Sequence, residues 1–208
     1  MGRARSLRVL SVLLVGAGFA LVGRQAYMQA KAALAAVLID RAWAAEQRDG
    51  LPHRPWWWAD LHPVARLEVP RLGVRQTILS GAAGSSLAFG LGHLSGTSLP
   101  GEPGNCGIAG HRDSWASFMK DLRVGDEVRL ETRDGSTRYR VNSIAVLPKE
   151  RTDVLEPDGG RRITLVTCWP FSGLLHGPWR FVVQCEIEPA LVVNFSSRSQ
   201  SKPAPTPG

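Results

Sequence analysis

In this 208-residue chain the side chain best placed for chemistry is a thiol that closes a β-branched run. Ile163-Thr164-Leu165-Val166-Thr167-Cys168 favours a strand, because branched side chains pack well on a pleated surface. Pro170 cannot donate to a ladder and restricts Trp169 before it, so the strand is expected to stop near Cys168. A thiol at such an end is fixed in position and still meets solvent, and its thiolate is a nucleophile. A lone cysteine is more often a small buried hydrophobe, so the rest of the chain must decide.

Face parity supplies part of the decision. In a strand over Asn105–His111, Cys106 and Ile108 share one face, while Asn105, Gly107, Ala109 and His111 share the other. In a strand over Trp179–Ile187, Trp179, Phe181, Val183, Cys185 and Ile187 form an apolar face, and Arg180, Val182, Gln184 and Glu186 the opposite one. Cys106 and Cys185 therefore read as core thiols, with a disulfide between them the alternative in an oxidising compartment. Cys168 is the one left at a strand end. If strands 162–168 and 179–187 pair antiparallel, Cys168 and Arg180 lie at the same end of the sheet, and His111 also ends a strand. The three can converge at one rim. No Cys-x-x-Cys or Cys/His pair has zinc spacing, so neither a metal nor a cofactor is expected.

The elements that must hold these residues are short strands. From Val64 onward the apolar period is two, with Leu67 and Val69 facing one way and Arg66 and Glu68 the other. Leu72 to Leu79 is a second short strand. Asp134-Gly135 between Glu127–Thr132 and Thr137–Val146 signals a hairpin, and Arg161–Cys168 and Pro178–Ile187 are the last two strands. Many short strands with Gly/Pro turns and little helix predict a mainly β barrel or sandwich. Phe89 to Asp113 carries seven glycines and two prolines, a composition that suits a long functional loop. No Gly-Lys-Ser/Thr follows it, so it is not a phosphate loop.

The net charge of +7 does not indicate nucleic-acid binding. Arg3, Arg5, Arg8, Arg24 and Lys31 precede the first acid, Asp40, and without them 20 basic residues face 18 acidic ones. The basic flank precedes an uncharged, mostly apolar stretch over residues 9–23. As a helix it spans about 22 Å against a hydrocarbon core of ~30 Å, a gap that Arg8 and Arg24 can close by snorkelling. A retained membrane anchor is expected. The alternative is a cleaved signal peptide with Ala30-Lys31-Ala32 or Ala42-Trp43-Ala44 as its small-x-small site. Either way the body is exported, with the amino terminus cytoplasmic. Ala26–Ala45 reads as a helix that continues from the anchor or lies at the membrane surface, apolar enough to pack on the domain; Glu46–Pro55 reads as a linker, and Trp56-Trp57-Trp58 as a docking cluster on the domain or an aromatic belt at the membrane. The expected organisation is an anchor over 1–24, helix and linker over 25–55, a catalytic barrel over 56–188 and a disordered tail over 189–208.

Three ordered motifs then carry a family resemblance. Gly104-Asn105-Cys106-Gly107-Ile108-Ala109-Gly110-His111-Arg112, Thr164-Leu165-Val166-Thr167-Cys168 and Trp179-Arg180-Phe181-Val182-Val183 resemble the sortases: a histidine after Ala-Gly, a Thr-Leu-x-Thr-Cys strand, and an arginine about a dozen residues later. The Gly-x-Gly-His loop before them and Cys-Trp-Pro-Phe after the thiol look most like the class D-like sortases of Gram-negative proteobacteria. The resemblance covers about residues 56 to 187. It implies a closed barrel of about eight strands with short helices, and cysteine transpeptidation of a Leu-Pro-x-Thr-Gly type sorting signal. The protein partner bears that signal near its carboxyl terminus, and an amine is the acceptor. Cys168 is then the nucleophile and His111 the general acid and base, active in the thiolate/imidazolium form. Arg180 stabilises the oxyanion or substrate backbone, and Thr167 and Trp169 are candidate substrate contacts.

Other residues compete. His93 is a second histidine in the glycine-rich stretch; the Ala-Gly-His match selects His111. His176 lies near Arg180, and His53 and His62 fall outside the motifs. Asp113 either orients His111 or caps a helix over Ser114–Asp121. Two other classes of function remain: a hydrolytic cysteine endopeptidase, and a non-catalytic envelope binding module. The expected location is the inner membrane, with the domain on its periplasmic side.

Overall fold

The computed structural model describes residues 2–157, 159–172 and 177–188, with side chains from residue 13 onward. The expected tail and His176 lie outside the described residues. Eight strands follow a long helix: α1 Gly2–Asp49, β1 Pro63–Val69, β2 Val74–Leu79, β3 Leu91–His93, β4 Gly104–Ala109, β5 Glu127–Thr132, β6 Gly135–Pro148, β7 Arg161–Trp169 and β8 Trp179–Ile187. They close into a barrel in the order β1-β2-β3-β4-β7-β8-β6-β5. Closure leaves no sheet edge unpaired.

The barrel interior is filled by alternate residues of each strand. Ala65, Leu67 and Val69 of β1, Cys106 and Ile108 of β4, Val128 and Leu130 of β5, Ile163 and Leu165 of β7, and Phe181, Val183 and Cys185 of β8 form one buried cluster. The Asp134-Gly135 hairpin forms as its sequence dictates, with Thr132 opposite Gly135. Two of the contacts that close the barrel are parallel: β2 with β3, and β4 with β7.

The glycine-rich stretch is not one long loop. It contains β3 and β4, and most of these two strands is buried. Glycine serves close packing here: a Cβ on Gly92 would stand 2.5 Å from the Gly81 carbonyl oxygen. Nor does a linker begin at Glu46. α1 runs to Asp49, and its last turns dock on the barrel through Ala35, Ile39, Ala42 and Trp43. Asp40 pairs with Arg66 at 2.6 Å, and the Arg66 guanidinium lies over the Trp43 ring. Trp56 packs edge-on against Phe89 at 5.2 Å, whereas Trp57 and Trp58 are exposed.

The expected membrane-spanning helix is not borne out as such. Among the described residues no helix is long and apolar enough to cross a membrane. The physical reason is composition: residues 9–23 number only fifteen, and Ser11, Gly16, Gly18 and Gly23 dilute them.

Candidate active site

Cys168 is the penultimate residue of β7. Ile163 and Leu165 point inward, so the parity of the strand turns Thr164, Val166 and Cys168 to the outer wall. Cys168 is half-buried; β8 pairs with it directly, and β4 pairs with the residues just before it. On one side β8 runs antiparallel, with Arg180 the register partner of Cys168. Opposed residues of such a pair have Cβ atoms about 5 Å apart. On the other side β4 runs parallel, its last pair being Ala109 with Val166. The match continues past the strand, since Gly110 N–H donates to the Val166 carbonyl at 3.3 Å. Two residues beyond that last pair, on the two chains, stand His111 and Cys168.

Each neighbour is held by its own contacts. The Thr167 hydroxyl, 3% exposed, donates to the Gly110 carbonyl at 2.8 Å and anchors the residue before His111. Gly110 is pressed so closely that a Cβ would lie 2.6 Å from Leu91 and 2.9 Å from Ala116. The His111 carbonyl accepts from Ser114 N–H at 3.2 Å and Ala116 N–H at 3.0 Å, which turns the chain away and leaves the imidazole exposed. Arg180 donates from Nη1 to the Trp179 carbonyl at 2.9 Å and the Gly177 carbonyl at 3.3 Å. Among the described residues it forms no ion pair, so its charge is not neutralised by a carboxylate there.

The two expected substrate contacts, Thr167 and Trp169, lie on the face of β7 opposite the thiol. Thr167 is buried and its hydroxyl is engaged by the Gly110 carbonyl, so it anchors the segment that leads into His111. Trp169 faces the barrel mouth, on the side of β7 away from the thiol, where its ring stacks on Phe181 at 5.7 Å and meets Phe171 edge-on at 5.6 Å. Asp113 neither orients His111 nor caps a helix. Its carboxylate accepts from Arg112 at 3.0 Å, and the short helix at Ser117–Asp121 has no side-chain cap.

The competing histidines are accounted for. His93 is buried, and its Nε2 donates to the Ser98 carbonyl at 3.0 Å, a bond that pins the turn after β3. His53 pairs with Asp49 at 2.7 Å. His62 lines a cavity at the other end of the barrel, and burial pushes its imidazole below the ordinary range. The other two thiols are inert by burial, which pushes each up to about 12. They cannot join: both are register partners of Ile163 on opposite sides of β7. That puts them two strand spacings apart, about 9–10 Å, too far for a disulfide. Among the described residues no group of three His, Cys, Asp or Glu side chains could hold a metal ion.

Arg112 escaped the reading of the sequence. It is 4% exposed, and its Nη1 donates to the Pro170 carbonyl at 2.6 Å. It thereby ties the turn after His111 to the loop after Cys168. Its adjacency to the Ala-Gly-His motif was the one available signal.

A closed eight-stranded barrel, carrying a thiol between a strand that leads into a histidine and an arginine-bearing strand, defines a sortase-type protein. The Sortase domain model matches residues 67–188, and the chain belongs to the sortase family. It is 28% identical over 118 residues to Sortase D of Bacillus subtilis and 25% identical over 109 residues to Sortase A of Bacillus anthracis. These matches cover 56% and 50% of this chain, and 60% and 51% of the length of those proteins. Among solved structures, a Clostridium perfringens Sortase D5 transpeptidase superposes with a TM-score of 0.60 at 25% identity, covering 74% of this chain and 96% of that one. Sortase C-1 of Actinomyces oris gives 0.57 at 33% identity, covering 63% and 77%.

Proposed function

We propose that this chain is a cysteine transpeptidase that cleaves a Leu-Pro-x-Thr-Gly type sorting signal and passes the acyl group to an amine. The observation that carries the proposal is the register that sets Arg180 opposite Cys168 on one side and leads β4 into His111 on the other. The Cys168 thiolate attacks the scissile carbonyl, forming a C–S bond. Arg180 swings from its loop carbonyls to the developing oxyanion, because guanidinium keeps its charge at every relevant pH. The C–N bond then breaks and the leaving amine takes a proton from His111. An incoming amine attacks the thioester, its proton passes to His111, and the thiolate leaves. Atoms and charge balance over the two half-reactions.

Membrane attachment belongs to the same reading. Leu13, Leu14, Val15, Phe19, Leu21 and Val22 on α1 are each more than half exposed, which an aqueous helix does not favour. We place the barrel on the outer side of the cytoplasmic membrane of a Gram-negative cell, with the amino-terminal half of α1 in lipid. Incubation of the chain with a Leu-Pro-x-Thr-Gly peptide and an amine, followed by mass spectrometry, tests the reaction. A conjugate lost on Cys168→Ala is expected. Free acid alone would replace transpeptidation by hydrolysis, and no product would favour a binding module.

A further inference from the structure

A second apolar centre lies outside the barrel. Ile39 of α1, Ala59, Leu61 and Leu79 form a buried cluster against which Trp56 and Phe89 pack. Beside it, between α1 and the segment over residues 56–61, is a cavity of about 370 Å³. Leu34 and Leu38 of α1 form one wall, and Trp56, Trp58 and Phe89 the other. The rings are set against each other, Trp56 edge-on to Phe89 at 5.2 Å and tilted to Trp58 at 6.5 Å. The local cause of the cavity is side-chain size. Ala35 of α1 and Ala59 also line it, and two methyl groups do not fill the span between helix and segment.

The polar groups of this cavity are few and lie at its mouth. Lys31, Asp60 and Ser85 line it and are exposed. Among the described residues none of these three side chains takes part in a hydrogen bond or an ion pair, and Lys31 and Asp60 do not pair with each other. An apolar interior with a few polar groups is the form of a small-ligand site, whose volumes run from ~300 to ~1,000 Å³. The chemistry of the lining selects among ligands. A peptide would bring backbone N–H and C=O groups to walls that offer them no partners. A hydrocarbon chain brings none, and a volume near the lower limit suits one chain, not two. At the mouth, Lys31 and Ser85 can donate to a phosphate. Asp60 repels a purely anionic head and attracts an ammonium.

We propose that this cavity binds an amphiphile with one hydrocarbon chain and a zwitterionic phosphate–ammonium head, of the lysophosphatidylethanolamine type. The chain lies between the two leucines of α1 and the aromatic wall. The phosphate meets Lys31 and Ser85, and the ammonium meets Asp60. The ligand fills the seam between α1 and the barrel. The site shares no residue with the thiol site or with the exposed apolar run over residues 13–28, and its occupancy does not depend on the reaction proposed above.

Photo-cross-linking of the full chain in dodecyl maltoside tests this, with lysophosphatidylethanolamine that carries a diazirine at the end of its chain. Peptide mapping should find adducts within residues 34–38, 56–61 and 89. Adducts confined to residues 13–28, or none at all, overturn the site. Leu34→Glu places a carboxylate in the wall at a helix position already 59% exposed, so the fold is kept. It should cut labelling about tenfold or more, because the loaded site would bury that charge unpaired. Phe19→Glu, on the apolar run, should leave labelling unchanged, and equal losses in both variants overturn the site in favour of general adhesion to α1. Unlabelled lysophosphatidylethanolamine should compete about two- to fivefold better than lysophosphatidylglycerol, the measure of one exposed ion pair, and Asp60→Asn should erase the difference. Equal competition on the unmodified chain overturns the assignment of the head.

Discussion

Replacing Thr167 by valine separates what the buried hydroxyl does for stability from what it does for catalysis, provided Thr164→Val is measured beside it. Both hydroxyls are buried, and each donates one hydrogen bond of 2.8 Å, Thr167 to the Gly110 carbonyl and Thr164 to Asn105 Oδ1. Valine preserves the shape and removes the donor. The loss is the bond itself, about 1 kcal/mol, together with the cost of a buried acceptor left unpaired, so about 1–3 kcal/mol in total. A domain of this size loses about 2–4 °C of Tm per kcal/mol, and both variants should melt about 3–10 °C early. They should part company in the assay. Gly110 carries His111 on its carboxyl side, and without its anchor the segment can lift from β7. A displacement of an acid–base group by about 1 Å costs on the order of 100-fold in rate. Thr164 lies four residues from the thiol, beneath the Val154 carbonyl, and its variant should keep kcat within about twofold. Melting followed by circular dichroism, and kcat with a fluorogenic sorting-signal peptide well below both Tm values, give the two readings. A Thr167→Val protein that melts early yet turns over like the wild type refutes the positioning role. One that melts normally refutes the bond.

Four further outcomes follow from the contacts described above. Arg112→Met removes the tie to Pro170 and should cost about 2–4 kcal/mol in a urea melt, with Arg112→Lys recovering little, because an ammonium cannot span the Asp113 carboxylate and the carbonyl together. Iodoacetamide at neutral pH should add a single group, at Cys168, by mass spectrometry, and three once the chain is unfolded; early labelling of Cys106 or Cys185 in the folded chain would contradict their burial. The same two thiols make stability fall as pH rises. They stay protonated in the folded state up to about 12 but ionise near 9.0 when unfolded, so each removes about 1.4 kcal/mol per pH unit across that window, and a flat urea-melt profile between pH 8 and 10.5 would count against it. Gly92→Ala drives a Cβ into the Gly81 carbonyl and the Ala82 Cα, both backbone, and should lower Tm by more than 10 °C or leave the chain insoluble.

Much of this was legible in the residues, for a definite reason. Period-two patterning reports which face a side chain takes, so Cys106 and Cys185 could be assigned to the core and Cys168 set apart before any partner strand was known. Patterning does not report which strand lies alongside. The β4–β7 contact joins Gly104 to Arg161 across more than fifty residues, and nothing local encodes it. β3 was hidden because glycine there answers to the close approach of another backbone, which composition alone cannot distinguish from a flexible loop. Asp113 was assigned to His111 or to a helix start by proximity in sequence, and the buried guanidinium of Arg112 claimed it instead. Thr167 and Trp169 flank the thiol in sequence, but the alternation that turns Cys168 outward turns both of them inward.

That alternation, combined with strand direction, explains why the three candidate residues lie at one end of neighbouring strands. β8 returns antiparallel from β7, so its first residues stand beside the last residues of β7, and Arg180 reaches Cys168 with no more than a loop between them. β4 is parallel to β7, so its carboxyl end stands at that same level, and His111 follows it immediately. Were β4 antiparallel in the same place, its end would lie the length of a six-residue strand away, about 20 Å, and no side chain spans that. A parallel strand costs a long crossover connection, here residues 110–160, which carries β5 and β6 around the far side of the barrel. The site therefore depends on closure of the whole barrel. Variants that weaken β5 or β6 far from the thiol should lose activity together with folding, whereas Cys168→Ala, at the outer wall and half-buried, should lose activity alone.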